Sequence, residues 1–275
     1  MSNELFGRVI KVHIEGDYKA DVSNEDFHIE FEVPFDDDST PNQSSISIFN
    51  LSSTSINRIK KGSSLTLQAG YKKDYGVLLS GKVSSVLTKR EGVDKITTIY
   101  ITEGQDYSSA KVTAANSTDK KSLKIAFGKN TKADTIIRRL VSVLGMKLGE
   151  LKLPKNPAYK SGYTVTGNIL NNLNEVVKDC NASLYYRRGM IVIRSITEGT
   201  DERFSLEEAT GLLDSPEPFE EEDSKGYTCT CLLQHRIATA SIIQLKSRTA
   251  NGSYRVKKGK HTASGSDFKT EMTVI

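Results

Sequence analysis

Tryptophan is absent from the 275 residues, cysteine occurs three times, and aromatic side chains make up only 7%. Three cysteines, Cys180, Cys229 and Cys231, are too few and too odd a set for a disulfide framework, so a reducing compartment is expected. Cys229 and Cys231 fall on one face of one strand, but a tetrahedral metal site needs two further ligands at suitable spacing, so both are assigned to core packing. The four histidines, His13, His28, His235 and His261, stand in separate strand segments, and no metal is expected. The aromatics are scattered, which argues against a carbohydrate-binding β-sandwich with clustered exposed rings.

Long apolar runs are also missing. None approaches the roughly 18 residues that span a bilayer, and the opening "MSNELFGRVIKVHIEG" has no charged segment leading into an apolar one, so no membrane insertion is expected and folding is placed in the cytoplasm. The net charge of +4, from 38 basic and 34 acidic residues, is small and dispersed. Specific nucleic-acid binding would show a concentrated basic face.

Catalytic signatures are equally scarce. There is no Gly-x-x-x-x-Gly-Lys-Ser/Thr loop, "ASGSDF" (263–268) lacks the flanking strand and helix that would cradle phosphate, and no Gly-x-Ser-x-Gly elbow occurs. Asp36, Asp37 and Asp38 lack the spaced oxygens, central glycine and distal glutamate of a calcium loop. Nothing singles out a pair of carboxylates for hydrolysis. The expectation is a protein without catalytic residues, cofactor or metal.

What the chain does have is alternation. In "FHIEFEVPF" (27–35) Phe27, Ile29, Phe31 and Val33 share one face while His28, Glu30 and Glu32 share the other, the pattern of a half-buried strand. Residues 5–14, 44–51, 63–71, 76–91 and 95–104 continue in the same way between turn signals, which predicts an antiparallel barrel or sandwich. One short helix interrupts them. Ser52 or Ser53 can cap it, "TSINRIKKG" sets Ile56 and Ile59 three apart, and Gly62 follows a basic last turn as the stop. Too short to be stable alone, it must rest its isoleucines on the sheet, leaving Arg58, Lys60 and Lys61 to face solvent or a neighbouring subunit.

From about residue 111 the period changes. "ADTIIRRLVSVLG" (133–145) carries Ile136, Ile137, Leu140, Val143 and Leu144 at helical spacing, and "GNILNNLNEVVKDCN" (167–181) repeats the pattern with Ile169, Leu170, Leu173, Val176 and Val177. "ASLYYRRGMIVIRS" (182–195) then reads as a hairpin turning on Arg188 and Gly189, with Tyr185 and Tyr186 on opposite faces and only one of them in the core. The acidic stretch "SPEPFEEEDSKG" (215–226) reads as a loop, and residues 227–237, 241–247, 252–265 and 267–275 read as strands. The fold class is α+β, mainly β, with an α+β insert between two β sections.

The order of these parts resembles the phage tail hub family, also called late-control or baseplate hub proteins. The landmarks are Asn-Leu-Ser at 50–52, Ala-Gly-Tyr at 69–71, the strand from Ser80 to Val83, and a closing series of Gly252, Tyr254, Val256, Gly259, His261, Phe268 and Thr270. The likeness covers nearly the whole chain, although this chain is shorter than many hubs. It implies two tail-tube-like antiparallel β-barrel domains, at 1–110 and 201–275, around an insert at 111–200. It further implies a homotrimer whose six barrels imitate a six-fold ring, a tail tube or distal tail protein above, a spike or tip protein below, and a place in the virion tail. DNA would pass only through the lumen. Ile56, Arg58, Ile59, Lys60 and Lys61 become candidates for the barrel flank or subunit interface. A cell-wall-degrading tip enzyme is the alternative, but no lysozyme or peptidase pattern is present.

Overall fold

A computed structural model describes residues 5–104, 107, 110–112, 125–199, 202–221 and 224–275. The first section contains β1 (Arg8–Glu15), β2 (Lys19–Ser23), β3 (Ile29–Phe35), β4 (Gln43–Phe49), α1 (Ser53–Arg58), β5 (Ser64–Tyr71), β6 (Asp74–Glu91) and β7 (Asp94–Thr102). The middle holds the short pairings β8 (Lys111–Val112), β9 (Ala126–Phe127) and β10 (Thr131–Lys132), then α2 (Ala133–Leu144), β11 (Leu148–Lys152), β12 (Ala158–Tyr159), β13 (Tyr163–Thr164), β14 (Gly167–Asn168), α3 (Ile169–Asp179), β15 (Ser183–Arg187) and β16 (Met190–Arg194). The last section is β17 (Arg203–Leu206), β18 (Glu217–Glu221), β19 (Ser224–Leu232), β20 (Ile242–Lys246), β21 (Asn251–Ser264) and β22 (Asp267–Val274).

The fold is mainly β, and its two β sections share one sheet. Hydrogen-bonded neighbours run β18-β19-β22-β21-β3-β4-β7-β6-β5-β1-β2, with β20 and β17 attached beside β21. The seam is the pairing of β21 with β3, from Gly259 opposite Phe35 to Ala263 opposite Phe31. A bulge between Val256 and Lys258 separates the half of β21 that pairs with β20 from the half that meets β3, and such an extra residue bends a strand. The sheet curls back on itself in the first section, where the Arg8 guanidinium at the start of β1 donates to the carbonyls of Gly265 and Ser266 in the β21–β22 turn.

Three main apolar cores result. The first gathers the inward residues of β1 and β3 to β7, and it takes in Leu233, Ala263 and Phe268 from the last section. The middle core is made by α2 and α3 with Leu184, Tyr186, Ile191 and Ile193 of the hairpin. The third packs Cys229, Cys231, Ile243, Leu245, Val256, Met272 and Val274 against Phe35 of β3. Burial pushes the thiols of Cys229 and Cys231 up to about 12, so both remain protonated packing groups.

Local signals account for most elements. Ile29, Phe31 and Val33 are buried and Glu32 is exposed, as the alternation predicts. Gly145 caps α2 in the left-handed region with φ 68°, and the Asn168 side chain caps α3 by accepting the Asn171 N–H. Within α2 the inward position falls on Val141, and Val143 is only half-buried.

Several expectations are corrected. The acidic stretch is not a loop: Glu217–Glu221 form an edge strand paired with β19. An edge strand tolerates Pro218 and exposed acids because one side needs no ladder partner. Tyr185 and Tyr186 are both buried, at 0% and 5% exposure. The hairpin has no wet face, for Tyr186 enters the middle core while Tyr185 packs with Val192, Ile196 and Ala240 on the other side. Helix α1 ends at Ile59, an extended residue, rather than at Gly62, whose N–H instead bonds the Val83 carbonyl. The last section is not wholly antiparallel, since β17 and β20 pair in parallel.

Candidate functional site

The joined sheet presents one continuous polar wall, and its charges alternate across the seam. On three adjacent strands Asp267, Lys269, Glu271, Lys260 and Glu32 form a ladder, with N–O distances of 3.1, 3.0, 3.6 and 3.1 Å in that order. Glu32 raises the Lys260 pKa by hydrogen bonding, which keeps the ammonium charged. Farther along, Lys257 and Lys258 both bond Glu221, at 2.8 and 2.9 Å, and hold its carboxyl down at about 2. On the other side of the seam Ser47 and Thr98 hydrogen-bond at 2.9 Å between β4 and β7. Exposed pairs of this kind add little stability individually. Their arrangement gives this part of the wall a mixed, nearly neutral surface.

Behind the wall lies a junction where all three sections meet. The β15–β16 hairpin turns on Arg188 and Gly189, with φ 52° and 79°, and a Cβ on Gly189 would lie 2.7 Å from the Ser80 carbonyl of β6. Only glycine allows both that backbone conformation and that approach. The Gly189 N–H donates to Glu103 Oε1 at 3.3 Å, and the Arg188 guanidinium donates to the His235 carbonyl at 3.2 Å. Asp74, the first residue of β6, accepts from Gln234 at 3.3 Å and Arg236 at 3.2 Å. Arg187 pairs with Glu202 at 2.8 Å.

Glu103 and His261 are deeply buried here. Burial raises the Glu103 carboxyl to about 7, against the pull of backbone N–H groups from Gly189 and Arg188. Burial likewise drives His261 down to about 3, so its imidazole is neutral. Because the Ile237 carbonyl can only accept, Nε2 carries the proton in its 3.1 Å bond, and Nδ1 accepts from Thr270 Oγ1 at 2.9 Å. The His261 ring also lies 4.9 Å from that of Phe35. A cavity of only about 20 Å³ remains between Glu103, Tyr186, His235 and His261, room for one water-sized guest and no substrate. The junction is a clamp.

The interface candidates lie elsewhere, on the rim of the first core. Ser52 caps α1 by accepting the Ser55 N–H at 3.0 Å. Ile59 is 8% exposed within the core and Ile56 packs half-buried against it. Arg58, Lys60 and Lys61 are exposed, with the Arg58 guanidinium 4.6 Å from the centre of the Tyr18 ring. The structure therefore brings the two isoleucines together and leaves the three cations outside. Ile59→Asp is expected to cost about 2 kcal/mol, the value of burying such a side chain, read as a lower denaturant midpoint with an unchanged slope.

The junction and the ladder have weak signals in the sequence. Glu103 sits beside Gly104 after an alternating strand, and a Cβ on Gly104 would lie 2.7 Å from the Tyr186 ring; an acid followed by a forced glycine at a strand end is the only local hint.

No protein-family model matches the chain, and no curated protein matches it. Solved structures do. The chain superimposes on the 43 kDa tail protein of prophage MuSo2 from Shewanella oneidensis with a TM-score of 0.69, at 8% identity and over 98% of both chains. A tail protein from Neisseria meningitidis MC58 matches with a TM-score of 0.67, at 8% identity, over 98% of this chain and 96% of that one. The E. coli c3393 protein is described as a type VI secretion component structurally similar to T4 tail proteins gp27 and gp5. It matches with a TM-score of 0.65, at 11% identity, over 96% of this chain and 76% of that one. At these identities the likeness is one of fold: the chain has the fold of phage tail proteins.

Proposed function

We propose that the chain is a structural subunit of a phage tail or a related tail-like particle. Its role is architectural: a trimeric hub that presents six similar β units to a tail tube or distal tail protein and three-fold symmetry to a spike or tip protein. The division is a first β unit at 1–110, an insert at 111–200 and a second β unit at 201–275, assembled in the host cytoplasm into the virion tail. One observation carries this reading, the seam of β21 on β3, which fixes two β units side by side in one sheet under a fold shared with tail proteins. A closed ring of such pairs matches two symmetries by rotation alone and needs no chemistry.

The test is native mass spectrometry of the purified chain over rising concentration, alone and with its tube and spike neighbours. Three chains per assembly are expected. A single chain at every concentration and with both neighbours would overturn the hub reading, and clearing of a peptidoglycan zymogram would move the chain to the tip enzymes.

A further inference from the structure

The shared sheet ends in unpaired backbone, and two of its free edges are complementary. Strand β18 is terminal, so its outer edge has no strand beside it among the described residues. Strand β6 is long, and β5 covers only its first part, as far as Ser64 opposite Lys82, with Val83 then held by the backbone of Gly62 and Ser63. From Ser85 to Glu91 its pairing with β7 continues on one side, while the other side has no strand partner among the described residues. An uncovered edge of this length is a template for another chain.

Strand direction selects the match. The path β18-β19-β22-β21-β3-β4-β7-β6 is antiparallel at every step, and it contains eight strands. An even count makes β18 and β6 run in opposite senses. Rotation about a ring axis preserves each strand's sense along that axis, so joining β18 of one copy to β6 of the next keeps the alternation unbroken. The opposite end of the sheet does not. Strand β2 lies three antiparallel steps beyond β6, runs in the same sense as β18, and would make a parallel join.

Charge selects the same pair. The β18 edge is acidic, with exposed Glu217, Glu220 and Glu221, whereas the outer half of β6 carries exposed Lys89 and Arg90. Glu217 and Arg90 enter no salt bridge among the described residues, while Glu220 pairs with Lys225 at 2.5 Å and Lys89 with Glu91 at 2.9 Å. An antiparallel join sets Glu217 toward the Lys89–Arg90 end. Two β18 edges would instead repel one another, which disfavours a two-fold join through β18 and favours head-to-tail pairing of β18 with β6. Pro218 leaves the edge one donor short, so the added pairing is brief and depends on the charges. Leu87, 58% exposed on the same half of β6, gains cover.

We infer that β18 of one chain adds as an antiparallel strand to the outer half of β6 in a second copy, extending the polar wall unbroken from copy to copy. This rests on the hub reading, whose ring it would seal.

Charge reversal tests it. Glu217→Lys with Glu220→Lys, or Lys89→Glu with Arg90→Glu, places like charges across the join and is expected to weaken self-assembly roughly tenfold or more, measured by native mass spectrometry at matched concentration. The chain carrying all four substitutions is expected to assemble again. These side chains are exposed, so unchanged melting of each variant shows that folding is intact. If the unsubstituted chain forms three-membered rings and both reversals form them equally well, the strand addition is overturned and the hub reading survives. If the unsubstituted chain never self-associates, at any concentration and with both neighbours present, both fall together.

Discussion

Phe268→Ala is expected to remove about 4 kcal/mol of stability, the typical loss when a buried phenylalanine is truncated. Phe268 belongs to the last section but is 3% exposed within the first core. Its ring lies edge-on to Tyr71 at 5.4 Å and to Phe31 at 6.4 Å, and the Arg8 guanidinium sits 5.2 Å from its centre. Deleting it leaves a cavity beside Phe31 and Tyr71, where the last section enters the first core. Urea denaturation should show the lower midpoint, and protease cleavage should become faster in the β21–β22 turn. A loss below about 1 kcal/mol, within the range of ordinary surface changes, would mean that the first core closes without the last section.

The second large effect is a pH dependence that the unsubstituted protein hides. Glu103 has its carboxyl raised from 4.5 to about 7 in the folded state. The folded form therefore holds its proton more tightly, and this contribution is complete below pH 4.5 and lost as pH rises through 7. His261 is lowered from 6.5 to about 3, so its contribution is complete above pH 6.5 and lost as pH falls toward 3. Between pH 4.5 and 6.5 the two slopes oppose and cancel. Each substitution should unmask the other group. Glu103→Gln should lose on the order of 3 kcal/mol as pH falls from 6.5 to 4.5, and His261→Gln should lose a similar amount as pH rises from 4.5 to 7, from about 1.4 kcal/mol per unit. Thermal or urea melts across this range read both. A slope in either variant identical to that of the parent would place the buried charge elsewhere.

Much of the fold is legible locally. The alternation through Ile29, Phe31 and Val33, the period of Ile136, Ile137 and Leu140, the Ser52 cap and the Arg188–Gly189 turn all depend on neighbours within a few residues, and all were readable from them. The departures have one common cause, which is that distant chain decides them. Tyr185 looks like the wet member of an alternating pair until Ile196 and Ala240 cover it. The acids of β18 look like a loop because an edge strand needs no apolar alternation. Glu103 reads as an ordinary strand-end acid, and the distant Gly189 turn that bonds it is not visible from its neighbours in sequence. The seam itself is the least legible feature, since nothing near Val33 specifies that His261 will stand opposite it. The flank residues Ile56 and Ile59 follow from their spacing, and Arg58, Lys60 and Lys61 fall on the exposed side as that spacing requires.

The pairing of β3 with β21 also sets a schedule for synthesis. Lys260 reaches Glu32 across 228 positions of sequence, so β3 emerges from the ribosome long before its partner exists. At translation rates of roughly 5–20 residues per second, its edge stays open for on the order of ten seconds or more, with the first hydrophobic interior still lacking Ala263 and Phe268. Glu30 and Glu32 on that waiting strand are then early sentries against premature sticking, and the arrival of β21 converts one of them into an anchor for Lys260.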